Sequence, residues 1–135
     1  MSSWAQVEKL LAGLPETDCY ASYGGFPALR VNKKLVARLR GEMAADHDDV
    51  TGRAFGEVLM VGVADLGEKE ALLVDDPVTY FTVPHYDGYP AVLVRLSKAD
   101  DTELNELLME AWVRCAPKRA VKAYVEQGGV LPGEA

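Results

Sequence analysis

The chain opens on a stretch in which Trp4, Val7, Leu10, Leu11 and Leu14 recur on one side of a helix, and Ser3 followed by Gln6 supplies a capping box at its start. Pro15 ends it. Residues 18–23 read as extended, and Gly24-Gly25-Phe26-Pro27 reads as a turn, because glycine tolerates positive φ and proline offers no ladder donor. The period then changes to two. Residues 28–31 and 34–40 alternate on either side of Asn32-Lys33, the two-residue connection of a tight hairpin. That alternation puts Leu29, Val31, Leu35, Ala37 and Leu39 on one face and Arg30, Lys34, Arg38 and Arg40 on the other, with Val36 the one interruption.

Past an irregular acidic connection over residues 41–56, residues 57–63 form a third strong strand. Asp65 with Glu68 caps a short helix carrying Leu66, Lys69, Leu72 and Leu73, which stops before Pro77. Residues 78–83 and 91–96 read as two more strands, joined by a rigid, exposed turn over residues 84–90. Asp100 and Glu103 stand at capping spacing ahead of Leu104, Leu107, Leu108, Ala111, Trp112 and Cys115, the clearest amphipathic helix in the chain. Pro117 opens a further helical segment to Gln127, and Gly128 closes it. With no βαβ alternation and no repeat, the pattern predicts one α+β domain over residues 1–135. Its antiparallel sheet carries helices on one face, in the order helix, three strands, helix, two strands, helices. Trp4, Leu107, Trp112 and Val92 are expected in the core between them.

A chain of 135 residues is long enough to bury such a core without staples. Cys19 and Cys115 are far apart and belong to no metal-ligand spacing, so both are expected as buried thiols in a reducing compartment. No apolar run is long enough to span a bilayer, and the first residues lack the basic and apolar regions of a secretory signal, which predicts a cytoplasmic protein with no membrane partner. The two histidines, His47 and His85, stand in no nucleophile motif, and neighbouring acids such as Asp75-Asp76 and Asp100-Asp101 are accounted for by helix ends and solvation. His47-Asp48-Asp49 falls short of a closed metal site. The expectation is a non-enzyme with no cofactor and no metal.

Charge changes this picture locally. The chain carries −7 in all, which argues against a surface built throughout for polyanions. Yet residues 27–41 hold Arg30, Lys33, Lys34, Arg38 and Arg40 and no acid, a local +5 that leaves −12 for everything else. One reading is the solvated outer face of a sheet, and the other is a phosphate-contacting hairpin. Lys118, Arg119 and Lys122 form a second group just after Arg114; cations there offset a helix dipole, or extend the hairpin into a groove on one continuous face. His85 and Tyr86 either fix their turn by hydrogen bonding or offer stacking to a base.

Taken in order, Tyr23-Gly24-Gly25-Phe26-Pro27-Ala28-Leu29-Arg30-Val31, Asp76-Pro77, Pro84-His85-Tyr86-Asp87-Gly88-Tyr89-Pro90 with the strand to Leu96, Glu110-Ala111-Trp112 and Ala116-Pro117-Lys118 resemble the MmcQ/YjbR family of small bacterial proteins. The likeness runs from the first helix to about Arg119. It implies a secretion-chaperone-like or CyaY-like α+β fold and DNA binding through winglike hairpins. Two functions are therefore expected: weak nucleic-acid contact through the basic hairpin, and, as the alternative, a chaperone-like module that holds a protein partner.

Overall fold

The first three helices begin where an oxygen-bearing side chain takes up a backbone N–H that has no partner within the helix. Ser3 accepts from Gln6 N ahead of α1 (Trp4–Ala12), Asp65 from Glu68 N ahead of α2 (Leu66–Asp75), and Asp100 from Glu103 N ahead of α3 (Asp101–Cys115). Pro117 precedes α4 (Lys118–Glu126), where the missing proline N–H costs nothing. The computed structural model describes residues 2–22, 25–40 and 56–132. Its strands are β1 (Thr17–Ala21), β2 (Pro27–Val31), β3 (Lys34–Arg40), β4 (Val58–Gly62), β5 (Tyr80–Phe81) and β6 (Ala91–Arg95). They form one six-stranded sheet in the order β1-β2-β3-β4-β6-β5, every neighbouring pair antiparallel.

The α+β architecture follows the hydrophobic pattern, with two changes in the strands. Residues 18–23, read only as extended, contribute the edge strand β1, so four strands precede α2 rather than three. The strand expected over 78–83 shrinks to Tyr80–Phe81, since Thr82 and Val83 already leave the ladder for a 3₁₀ turn at Pro84–Tyr86.

Val7, Leu11, Leu29, Val31, Ala37, Leu59, Val61, Val92, Val94, Leu104, Leu108 and Trp112 are all buried between the sheet and its helices. Trp112 is fully enclosed, its indole N–H donating to Thr17 Oγ1 at 2.8 Å. Trp4 departs from the expected core. It stands half-buried at the first residue of α1 and donates from Nε1 to Glu8 Oε2 at 2.9 Å. The cysteines depart as well: Cys19 is exposed because its strand is an edge, and Cys115 is half-buried at the end of α3.

The hairpin contains the largest correction. Leu29 faces Ala37, but Arg30 faces Leu35, so Val36 is an extra residue in β3, a β-bulge. The bulge turns Val36 into the core, at 1% exposure, and leaves Leu35 38% exposed on the other side. Alternation without the bulge placed Leu35 inside and Lys34 with the arginines; instead Lys34 pairs with Val31, whose side chain belongs to the core under the helices.

Both residues of the hairpin connection are left-handed, Asn32 at φ 51° and Lys33 at φ 62°. Asparagine tolerates that region, whereas lysine at the second position stands where glycine is favoured. Lys33→Gly is expected to raise unfolding stability by about 0.5–1 kcal/mol, measured by urea denaturation. A loss of stability would show that the Lys33 side chain makes a folded-state contact.

Candidate functional site

A sheet with helices on one side leaves the opposite face to find other cover. Here the middle of that open face is apolar: Val58, Met60, Ala91 and Leu93 form a second buried cluster with Val83 and Tyr86. The cover comes from the 3₁₀ turn Pro84–Tyr86, which folds back so that Tyr86 is 6% exposed. The expectation of an exposed turn therefore fails for Tyr86 and holds for His85, whose ring stands edge-on to Tyr86 with centroids 5.0 Å apart.

The turn is held from the far side by a buried lysine. Lys69 of α2 donates from Nζ to Tyr86 O at 2.6 Å and to Tyr89 O at 3.0 Å. Desolvation by burial pulls its pKa below the ordinary 10.5, and the Asp87 carboxylate works in the opposite direction. Sequence reading missed this residue, because a lysine among Leu66, Leu72 and Leu73 carries no local sign of burial. The one available signal was position, since Lys69 shares the helical stripe that the leucines define.

Arginines surround the cover. Arg38 donates from a terminal guanidinium nitrogen to the Tyr86 hydroxyl, while its Nε is buried with no hydrogen-bond partner among the described residues. Arg40 lies 5.7 Å from the Tyr86 ring centroid. On β2, Arg30 sits 4.4 Å from the Tyr20 ring and pairs with Asp18 of β1 at 3.1 Å. Arg95 of β6 lies 4.3 Å from the Phe81 ring and donates to Pro77 O and Val78 O. The face thus alternates cation and ring from β1 to β5. Arg95 was not singled out by sequence reading, because it lies outside the basic run.

The expected site residues therefore divide. Arg30, Arg38, Arg40 and Tyr86 meet on the open face, with His85 exposed beside them. Lys33 is at the hairpin tip, and the bulge directs Lys34 toward the C-terminal end of α3, where it acts electrostatically on Cys115 together with Arg114. Burial pushes the Cys115 thiol up, and those two cations pull it back.

Lys118, Arg119 and Lys122 stay with the helical layer, because Ala120 between them is buried in the main core. The single continuous face expected for the two cationic groups is thus corrected: the sheet separates α4 from the three arginines. Arg119 is moreover engaged by Glu16, with contacts of 2.7–3.1 Å that hold its pKa above the ordinary value, and Lys122 faces Glu126 at 3.9 Å. Residues 41–55, with the acidic loop and His47, Asp48 and Asp49, lie outside the described residues. No described helix is long and apolar enough to cross a membrane.

Comparison with known proteins places the geometry in a wider setting. The chain is 40% identical over 133 residues to uncharacterised proteins of Mycobacterium tuberculosis (strains H37Rv and CDC 1551) and Mycobacterium bovis, covering 96% of this chain and 100% of theirs. Among solved structures, the Deinococcus radiodurans protein DR2400, a DUF419 domain, shares the fold at a TM-score of 0.67 and 19% identity, over 100% of this chain and 96% of that one. No protein-family model matches the chain.

Tyr86 O and Tyr89 O also accept from Tyr89 N and Ala91 N, so removing the Lys69 ammonium takes away one charged donor from each; Lys69→Met is expected to cost about 1–3 kcal/mol and to speed hydrogen exchange at Tyr86, Asp87 and Tyr89. The wild-type advantage has a defined pH dependence. A folded-state pKa lowered from 10.5 means that the unfolded chain binds more protons just below that value. Stability relative to Lys69→Met must therefore rise as pH climbs through the window between the lowered value and 10.5. A flat difference across that window would remove Lys69 as a buried cation.

Proposed function

We propose that this chain, which belongs to the same family as the mycobacterial proteins, is a non-catalytic binding module whose open sheet face takes phosphate groups of nucleic acid. The observation that carries this reading is the gathering of Arg30, Arg38 and Arg40 on the sheet face that no described helix covers, in a chain whose total charge is −7. Phosphate recognition draws on fixed guanidinium forks, and stacking on Tyr20 and Tyr86 fixes the planes of Arg30 and Arg40.

His85 and Tyr89, exposed on either side of Tyr86, supply rings at the rim on which a base can stack. Lys33 at the hairpin tip extends the positive field beyond the sheet. The finer family assignment, to the MmcQ/YjbR-like proteins, belongs to this proposal and rests on the Pro84-to-Leu96 segment and the Glu110-Ala111-Trp112 helix. The fold shared with a DUF419 domain is compatible with it. The acidic remainder of the chain keeps the interaction weak and confines it to this face, since like charge elsewhere repels the same polyanion.

The test is fluorescence polarisation of a labelled single-stranded oligonucleotide at low salt. Wild-type protein is expected to bind with an affinity that falls steeply as salt rises, and Arg30→Ala with Lys33→Ala is expected to weaken binding at least ten-fold and lower the salt slope by roughly two. Lys118→Ala with Lys122→Ala is expected to change little, because that pair lies across the sheet. Equal affinity of wild type and the Arg30 and Lys33 variant, or a loss confined to the α4 variant, overturns the assignment.

A further inference from the structure

The sheet has two edges, and they are finished differently. At β5 the ladder is two residues long, and Tyr80 within it and Thr79 before it are buried at 2% and 4% exposure. At β1 the edge runs five residues, Thr17–Ala21, with Asp18, Cys19 and Ala21 exposed. It contains no proline, lysine or bulge, usual devices that keep an edge from pairing, and its one charge, Asp18, is paired with Arg30 of β2.

The direction of its backbone groups follows from the register. Ser22 N donates to Phe26 O at 2.8 Å, and the next pair inward sets Ala21 against Pro27, which has no N–H. Hydrogen-bonded and non-hydrogen-bonded pairs alternate in an antiparallel ladder, so Tyr20 and Asp18 exchange bonds with β2 while Thr17, Cys19 and Ala21 turn N–H and C=O outward. Thr17 N reaches Leu14 O at 3.4 Å; the outward groups of Cys19 and Ala21 have no partner among the described residues.

We propose that β1 pairs antiparallel with β1 of a second copy of this chain, about a two-fold axis through Cys19. The partner is a second copy because the strand is complementary to itself. The outward positions 17, 19 and 21 are symmetric about Cys19, so Cys19 exchanges two hydrogen bonds with its counterpart, and Thr17 meets Ala21 of the other chain on both sides. On the open face Asp18 falls opposite Tyr20 of the second copy, so no like charges face each other across the ladder. The result is one continuous sheet whose two arginine faces point the same way, with the two Arg30–Tyr20 pairs next to the axis. Because the pairing spans one short strand, the dimer is a weak one. Two chains of −7 also repel, so added salt strengthens this association, opposite to its effect on phosphate binding.

Sedimentation equilibrium across micromolar to millimolar protein, at low and moderate salt, measures the association. Wild type is expected to dimerise reversibly, more tightly at higher salt. Ala21→Pro, which removes an outward donor while leaving every bond to β2 in place, and Cys19→Lys, which sets two like charges at the axis, are each expected to weaken the dimer at least ten-fold with unchanged far-UV circular dichroism.

A second measurement uses the unaltered strand. Paired residues that exchange hydrogen bonds stand roughly 5.5 Å apart at Cα, inside the span a disulfide bridges. Diamide, taking up the two hydrogens, should join two Cys19 thiols into one disulfide in wild type and in Cys115→Ser, and give no covalent dimer in Cys19→Ser. A chain that stays monomeric at every concentration, a dimer untouched by both edge variants, or a covalent dimer that depends on Cys115 overturns the proposal. None of these outcomes bears on oligonucleotide affinity, so the two readings fail separately.

Discussion

The rest of the structure depends on one unequal division: the main apolar layer of helices lies on a single side of the sheet, while the sheet itself is apolar on both. The helical side is closed by Trp112, Leu108, Leu104, Leu11 and Val7. The other side keeps Val58, Met60, Ala91 and Leu93, and leaving Val58, Met60 and Leu93 in water would forfeit on the order of 1.5–3 kcal/mol each. A three-residue 3₁₀ turn supplies cover, and it is held by Lys69, which donates to Tyr86 O and Tyr89 O, and by Arg38, which donates to the Tyr86 hydroxyl. The cations that mark the candidate site are thus part of what closes the second core. Structure and site share the same residues.

This explains which parts were legible in the sequence. Helix starts were readable to the residue, since Ser3, Asp65 and Asp100 act on backbone donors three positions away and need no tertiary context. The strong strands were readable because one face of each is buried. The edge strand was not, since Thr17–Ala21 is half exposed and carries little alternation. Tyr86 was misjudged for a related reason: a Pro-His-Tyr-Asp-Gly run has the composition of an exposed turn, and only the apolar gap on the sheet behind it calls the tyrosine inward. Of the candidate residues, Arg30, Arg38 and Arg40 were found by local charge alone. Lys69 and Arg95 could not be, because each is defined by what folds against it from elsewhere in the chain.

Electrostatics in this protein is a matter of placement rather than total. Arg119 and Glu16 show the ordinary fate of a surface cation, spent on a neighbouring acid, and Lys122 with Glu126 repeats it within one helix. The arginines of the open face are arranged differently: Arg30 and Arg40 lie over rings and Arg38 donates to a hydroxyl, although Arg30 is also paired with Asp18. Lys33 belongs with them in one respect. It occupies a left-handed position at φ 62° that glycine would fill with less strain, so the tip retains a cation at some expense in stability.

The bulge at Val36 has a consequence for the kinetics of encounter. By inserting one residue it turns Lys34 toward the helical side and keeps Arg38 and Arg40 on the other, so a single seven-residue strand carries positive charge to both sides of the sheet. In the proposed phosphate contact, an anion diffusing in from either side meets cations of the hairpin, so fewer collisions are lost to wrong orientation. Orientation is the chief factor that holds association rates below the diffusion limit. Under the phosphate-binding reading proposed above, a two-sided ribbon of this kind speeds arrival without tightening the final complex, which suits brief engagement and release.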